Sequence, residues 1–259
     1  MKQFLSPPVS DLQEPHTKSI VRTAAVTCAG FGLYGLTVGW WRSPEMGLYV
    51  AIKMPLLIAL TLACNGLLNG LLGILLGSGL GFRQSLHALL SSFAISALIL
   101  GSVAPVTFFL ALNIPAADSP QAQSSHSGYL LTHVLLIGIA GLTGVVRLAS
   151  LLKRYTGSRS TARLTLGAWI AGNALLGMQF SWILRPFFGS PGLEVAFLRD
   201  SPMQGSFVEA VWGAIRQLFT KISIAEISWA IALSAFVMIL ILKTRNHKTN
   251  QNDEPRTDH

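Results

Sequence analysis

Six long apolar runs, separated by short polar stretches, set the pattern of this chain. The runs cover about residues 20–41, 49–77, 85–113, 128–152, 164–184 and 224–242. Each is close to the roughly 20 residues that a helix needs to cross the hydrocarbon core of a bilayer. The pattern therefore predicts an all-α polytopic transmembrane bundle of about six spans. Five spans are the alternative, because four glycines weaken the first run as a helix.

The polar stretches predict the rest of the organisation. Residues 1–19 are interrupted by three prolines and lack an apolar core, which predicts a flexible tail and no secretory signal. Residues 243–259 carry mixed charge without periodicity, which predicts a disordered tail. Residues 185–223 are partly apolar, so we expect an external segment along the membrane surface, with an interfacial helix near 206–221.

Charge is sparse and unevenly placed. Charged residues make up 12% of the chain, whereas an average soluble domain has about 25%. The basic residues that give the net charge of +8 lie mainly in the loops between apolar runs. This placement indicates membrane topology rather than nucleic-acid binding. Six spans put both tails on the same side of the membrane. That side then carries twelve Lys and Arg residues and the other side carries six, with Arg147 not counted because it lies within a span. This bias predicts cytoplasmic tails, in a bacterial cytoplasmic (inner) membrane.

Small and amide residues form a stripe in the second run. Asn65 and Asn69 are four residues apart and share one helix face, as do Gly66 and Gly70. Two interpretations compete. The favoured one is helix packing, in which glycines allow close approach and amides hydrogen-bond across the interface. The other is a polar line along the path of a solute.

The fifth run and the residues after it hold the candidate binding residues. Asn173 and Gln179 lie inside the run, Arg185 ends it, and Glu194 follows after a Pro- and Gly-rich turn. Arg185 is interpreted as an anchor at the membrane boundary. The sharper alternative is that its planar guanidinium pairs with Glu194 or with a lipid phosphate and holds the external segment in place.

Sequence motifs for catalysis or metal binding are missing. The chain has no phosphate-binding loop, no His-Glu-x-x-His and no Gly-x-Ser-x-Gly. Cys28 and Cys64 fall within apolar runs and are interpreted as small embedded residues. His133 has no partner at metal-ligand spacing. The sequence therefore predicts no catalytic residues, no metal and no cofactor.

One part of the chain has the layout of a known family. An apolar helix with Asn65–Leu68 ends in a Gly-rich turn, Phe82–Ser85 follow, and a long helix carries Pro105 near its far end. This layout, over about residues 50–185, resembles the Yip family, polytopic proteins associated in eukaryotes with Rab-GTPase-dependent membrane traffic. The resemblance implies a scaffold or partner-binding role without catalytic residues. The sixth run and the segment from Arg185 to Gly192 depart from the family's pattern.

These observations favour a non-enzymatic integral membrane protein that organises partners or lipids. Its expected surroundings are the lipid bilayer, other membrane proteins and anionic lipid. A small-solute transporter or channel is the alternative function, and a membrane enzyme that acts on lipid is the third.

Overall fold

The computed structural model describes residues 16–156, 158–189, 192–209 and 212. These residues are helical and contain no strand. The helices are α1 (Thr17–Trp40), α2 (Pro44–Leu75), α3 (Phe82–Asn113), α4 (Ala122–Thr156) and α5 (Arg159–Ile183). The chain divides into two compact units, Met1–Phe207 and Val208–His259. Only Val208, Glu209 and Trp212 are described in the second unit, so the predicted sixth span and most of the predicted interfacial helix lie outside the described residues.

Four helices are long and apolar enough to cross a membrane, namely Thr17–Trp40, Pro44–Leu72, Phe82–Asn113 and Ser125–Thr156. They correspond to the first four predicted spans, and the glycine-rich first run is one unbroken helix of 24 residues. The protein is therefore an all-helical membrane-embedded protein. The fifth run also forms a helix, but it is not among the four, because Asn173 and Gln179 make it more polar.

The outer faces of the helices are apolar, as expected for helices surrounded by lipid. Leu67 and Leu75 on α2 are 68% and 71% exposed, and Val106 on α3 is 69% exposed. Cys28 and Cys64 are both free thiols on exposed positions of α1 and α2. Single polar side chains face the interior instead, so the described bundle has the polarity of a membrane domain.

Glycines allow α1 to lie unusually close to its two neighbours. A Cβ on Gly30 would lie 2.4 Å from the carbonyl oxygen of Ala97 in α3. A Cβ on Gly39 would lie 2.4 Å from the carbonyl oxygen of Met46 in α2. Only a residue without a side chain fits at such contacts, as in membrane helix pairs generally. The glycines that weaken the first run as an isolated helix therefore fit it to the centre of the bundle.

Local hydrogen bonds begin α2 and α3, and a glycine turn joins them. The Ser43 hydroxyl accepts from the backbone N–H of Met46 at 3.0 Å. The Gln84 side chain accepts from the backbone N–H of Gly81 at 2.9 Å. Gly77 and Gly79 both have φ of +70°, a conformation that glycine adopts without strain. The predicted turn between the second and third runs is therefore present.

The bundle has two distinct ends. The covered end holds the α1–α2 turn, the α3–α4 loop and residues 184–189 and 192–207, which we call the cover segment. The basic end holds the start of α1, the α2–α3 turn and the α4–α5 turn. Lys53 contacts Pro186, and Asn65 lies against Gly172. The first contact joins the beginning of α2 to the residues just after α5, and the second, roughly 20 Å away, joins a later part of α2 to an earlier part of α5. The helices α2 and α5 are therefore antiparallel.

Candidate functional site

Buried polar side chains at the covered end are connected to one another. The Tyr34 hydroxyl is 2.6 Å from Nδ1 of His133, and the Tyr129 hydroxyl donates to the carbonyl oxygen of Thr37 at 2.6 Å. The Thr37 hydroxyl is also 2.8 Å from that of Thr107. These contacts join α1, α3 and α4, so the network stabilises one arrangement of the three helices.

The cover segment is held to this end by side chains of the bundle. Lys53, fully buried in α2, donates to the carbonyl oxygen of Pro186 at 2.8 Å. Its Nζ also lies 5.0 Å from the ring centroid of Phe197. Phe188 packs on the buried core beside the His133 ring, with the two centroids 5.8 Å apart. The segment therefore covers the buried network.

Arg185 lies over its own helix end. Its guanidinium is 3.8 Å from the ring centroid of Trp182, and Nη1 donates to the carbonyl oxygen of Trp182 at 2.7 Å. Glu194 is exposed, and these two described residues form no ion pair with each other. The indole of Trp182 in turn donates to the carbonyl oxygen of Gln204 at 3.0 Å. Arg185 thus contacts the residue that binds the far part of the cover segment.

Asn173 and Gln179 lie apart from Arg185 and Glu194. The side-chain amide nitrogen of Asn173 donates to the backbone carbonyl oxygen of Trp169 at 2.9 Å. The side-chain amide oxygen of Asn173 is buried without a partner in the described part of the chain. Gln179 is half-buried further along α5. The structure therefore does not bring the four candidate residues together at one site.

The stripe on α2 has two parts with different surroundings. Gly66 and Gly70 lie against Phe82 at the start of α3, where a Cβ on Gly70 would be 3.0 Å from the Phe82 Cα. Asn65 and Asn69 are fully buried, and neither amide has a hydrogen-bond partner among the described residues. The glycines pack helices together, but the amides make none of the interhelical hydrogen bonds that the packing interpretation expects.

Three further polar side chains are buried without a hydrogen-bond partner. Ser85 on α3, together with Thr165 and Trp169 on α5, is fully buried, and the polar atom of each side chain has no partner within the described residues. We call these three residues, with Asn65 and Asn69, the basic-end cluster. Sequence reasoning missed the additions, although Thr165, Trp169 and Asn173 follow one another at the four-residue spacing of a single helix face.

The register of the helices places the five residues within about two helical turns of one another. The amide oxygen of Asn65 lies 2.8 Å from the position that a Cβ on Gly172 would take. Because α2 and α5 are antiparallel, one turn further along α2 corresponds to one turn back along α5, so Asn69 is level with Trp169. Phe82 meets Gly70 and Leu86 meets Gly66, which puts Ser85 at the same level on α3. Leu62, Leu89 and Trp169 belong to a single buried apolar cluster around them.

The two ends of the bundle therefore differ in how their buried polar groups are satisfied. At the covered end the tyrosine and threonine hydroxyls have protein partners, although Nε2 of His133, Nδ1 of His126 and the Ser119 hydroxyl have none among the described residues. At the basic end none of the five side chains of the cluster has one. Burying a polar group without a partner costs about 1–3 kcal/mol in proteins. Such groups mark a place where water or a ligand supplies the missing bonds.

The five side chains of the cluster are all uncharged. No group of three or more His, Cys, Asp or Glu residues within the described residues is close enough to hold a metal ion. The arrangement instead offers amide, hydroxyl and indole groups, which bind a polar molecule through hydrogen bonds.

Fold and site together define a multi-helix membrane protein with a polar site inside its bundle. A comparison with protein-family models gives no match, and comparisons with curated proteins and with solved structures give none either.

Proposed function

We propose that this protein binds a small polar solute inside its helical bundle, as a transporter or channel does. The observation that carries the proposal is the basic-end cluster, in which five buried polar side chains from three helices lie within about two helical turns and have no partner among the described residues. Solute sites of membrane proteins are built from such polar residues facing the bundle interior. A bound solute would supply the hydrogen bonds that these side chains lack.

The binding of solutes can be measured by the melting of the full-length protein in detergent against a panel of sugars, amino acids, nucleosides and organic acids. A solute that binds only the folded state stabilises it by about 2.7 kcal/mol at a hundred times its Kd. We expect Asn69→Leu to abolish the shift produced by the active solute. The variant itself should melt no lower than wild type, because the amide it removes has no partner among the described residues.

Asn113→Leu is the matched control for this substitution. Asn113 is exposed at the far end of α3, and its amide bonds only to the carbonyl oxygen of Phe109, so this variant should respond to solutes as wild type does. A melting temperature of Asn69→Leu well below wild type, with no solute in the panel shifting wild type selectively, would show that Asn69 serves packing alone.

We also propose the membrane and the orientation. The basic end faces the cytoplasm of a bacterium, and the covered end faces outwards, which follows the excess of Lys and Arg on cytoplasmic sides. Single cysteines at Asp118 and at Ser160, both exposed, test this in a chain whose Cys28 and Cys64 are replaced by serine. We expect an impermeant thiol reagent added to intact cells to label the first and not the second. Equal labelling of both would contradict the orientation.

A scaffold that binds partners or anionic lipid is the second candidate, in line with the Yip-family resemblance. The observation that favours it is the outer side of the cover segment, where Leu193 is 49% exposed and Met203 is 75% exposed. Exposed apolar residues beside a membrane suit contact with another protein. Purification with a stoichiometric partner that Met203→Ser releases would support this function.

A further inference from the structure

We infer that the ligand of the basic-end cluster is an anion, of carboxylate or phosphate type, and that Arg147 binds it. This inference rests on the proposed function and names the class of its solute. It is carried by three observations: the position of Arg147, the distribution of charge along the bundle and the donor character of the unpartnered side chains.

Arg147 lies on the inward face of α4, about one helical turn from the level of Ser85. Gly144, one turn before it, is packed against Ser92, and Leu148, the next residue, is 3% exposed in the apolar cluster that contains Trp169. The Nε and Nη2 atoms of Arg147 are buried and have no hydrogen-bond partner among the described residues. Two donors of a guanidinium are therefore available inside the bundle.

Acidic residues in the described part of residues 16–207 lie at one end of the bundle only, whereas basic residues lie at both. All four acidic residues, Glu45, Asp118, Glu194 and Asp200, lie at the covered end. The basic end carries Lys18, Arg22, Arg83, Lys153, Arg154, Arg159 and Arg163. Within residues 16–207 no described carboxylate lies at the end that holds Arg147, and the excess of basic residues at that end attracts anions and repels cations.

The unpartnered groups add donors to this charge. The indole of Trp169 and the guanidinium of Arg147 only donate hydrogen bonds, while the Asn69 amide and the Ser85 hydroxyl can donate as well as accept. Although the oxygens of Asn65 and Asn69 also need a donor, every group of the cluster can donate, so a ligand that mainly accepts satisfies more of them than one that mainly donates. Carboxylates and phosphates are acceptors that also carry the charge that Arg binds with two parallel bonds. A neutral amide would meet the hydrogen bonds but not the charge.

The anion has two sources, a soluble molecule or the headgroup of an anionic lipid. Both offer the same chemistry to Arg147, so the experiment separates them by lipid composition. The full-length protein is placed in nanodiscs of zwitterionic phosphatidylcholine, or in nanodiscs that also contain phosphatidylglycerol. Saturation-transfer NMR then measures the binding of acetate, methylphosphonate and acetamide, of which acetamide has the shape of acetate without its charge.

In phosphatidylcholine we expect acetate or methylphosphonate to bind at least about tenfold more tightly than acetamide, the scale of a hydrogen bond to a charged group. Arg147→Gln should remove that preference. Arg159→Gln, which removes a charge at the exposed start of α5, should keep it. Loss of the acetate signal on adding phosphatidylglycerol would assign the site to a lipid headgroup, and retention would assign it to a soluble anion.

Equal affinity of wild type for acetate and acetamide would overturn the anion inference without any variant, and so would full acetate binding by Arg147→Gln. Neither result would affect the proposed solute site, which depends on the response of Asn69→Leu to neutral as well as charged solutes. Failure of the whole solute panel together with low stability of Asn69→Leu would overturn both.

Discussion

Replacing Gly30 by alanine is expected to cause a large loss of stability in this bundle. The new Cβ would lie 2.4 Å from the carbonyl oxygen of Ala97, 2.7 Å from its carbonyl carbon and 3.0 Å from its Cβ. Two of these atoms are backbone, so they cannot rotate away. α1 and α3 must therefore separate along their contact, at a cost of about 1–3 kcal/mol or more.

The contact is also close from the other side, which leaves little room for a compensating shift. A Cβ on Gly101 of α3 would lie 3.2 Å from the Cα of Gly30. Separation at this crossing also disturbs the network at the covered end, because the Thr37 hydroxyl of α1 meets the Thr107 hydroxyl of α3 at 2.8 Å. Folded yield in detergent and the midpoint of thermal melting should both fall.

Gly167→Ala is the matched control for this prediction. Gly167 lies in α5, and an added Cβ there has no other atom within 4 Å. The change should stabilise the helix by about 1 kcal/mol, because alanine loses less backbone entropy than glycine. If both alanine variants melt above wild type, the close approach of α1 and α3 is not real.

The apolar runs predicted the described helices well, because a bilayer requires about 20 apolar residues wherever a helix crosses it. The first run, predicted over 20–41, is the helix Thr17–Trp40, and the third, predicted over 85–113, is Phe82–Asn113. The fifth run is less apolar than the first four. Its helix is present, but Asn173 and Gln179 keep its hydropathy below that of the four membrane-length helices.

The candidate site could be predicted only in part. The four-residue spacing of Asn65 and Asn69 placed both amides on one helix face, and the structure buries both completely. Spacing within one helix does not tell which residues of another helix lie opposite. The lack of partners for the amides depends on the register of α2 against α3 and α5, which long-range contacts such as Asn65 with Gly172 determine.

The same limit applies to Lys53. Its position near the start of the second run predicts a side chain that reaches towards the membrane boundary. The structure buries it completely instead, because the cover segment folds back over it and supplies the carbonyl oxygen of Pro186. That carbonyl is 133 positions away in the chain. No local pattern could have indicated the contact.

Lys53→Met is expected to release the cover segment while the helical bundle remains folded. Methionine keeps an apolar stem beside Phe197 but cannot donate to Pro186, so the carbonyl oxygen of Pro186 loses its partner. Losing that bond costs about 1–3 kcal/mol, which raises the population of the open segment by roughly 10- to 100-fold. The bundle no longer buries an amino group, so its own melting temperature should not fall.

Trypsin cleavage after Arg199, followed by mass spectrometry of the purified protein, measures the open population directly. When opening and closing are fast, the rate of cleavage is proportional to that population. Lys18→Met makes the same chemical change at an exposed position of the basic end and should leave cleavage at Arg199 unchanged. Equal cleavage rates for the two variants would mean that Lys53 does not hold the segment. Faster cleavage together with a lower melting temperature would mean that Lys53 supports the whole bundle, so the segment and the helices would form one cooperative unit.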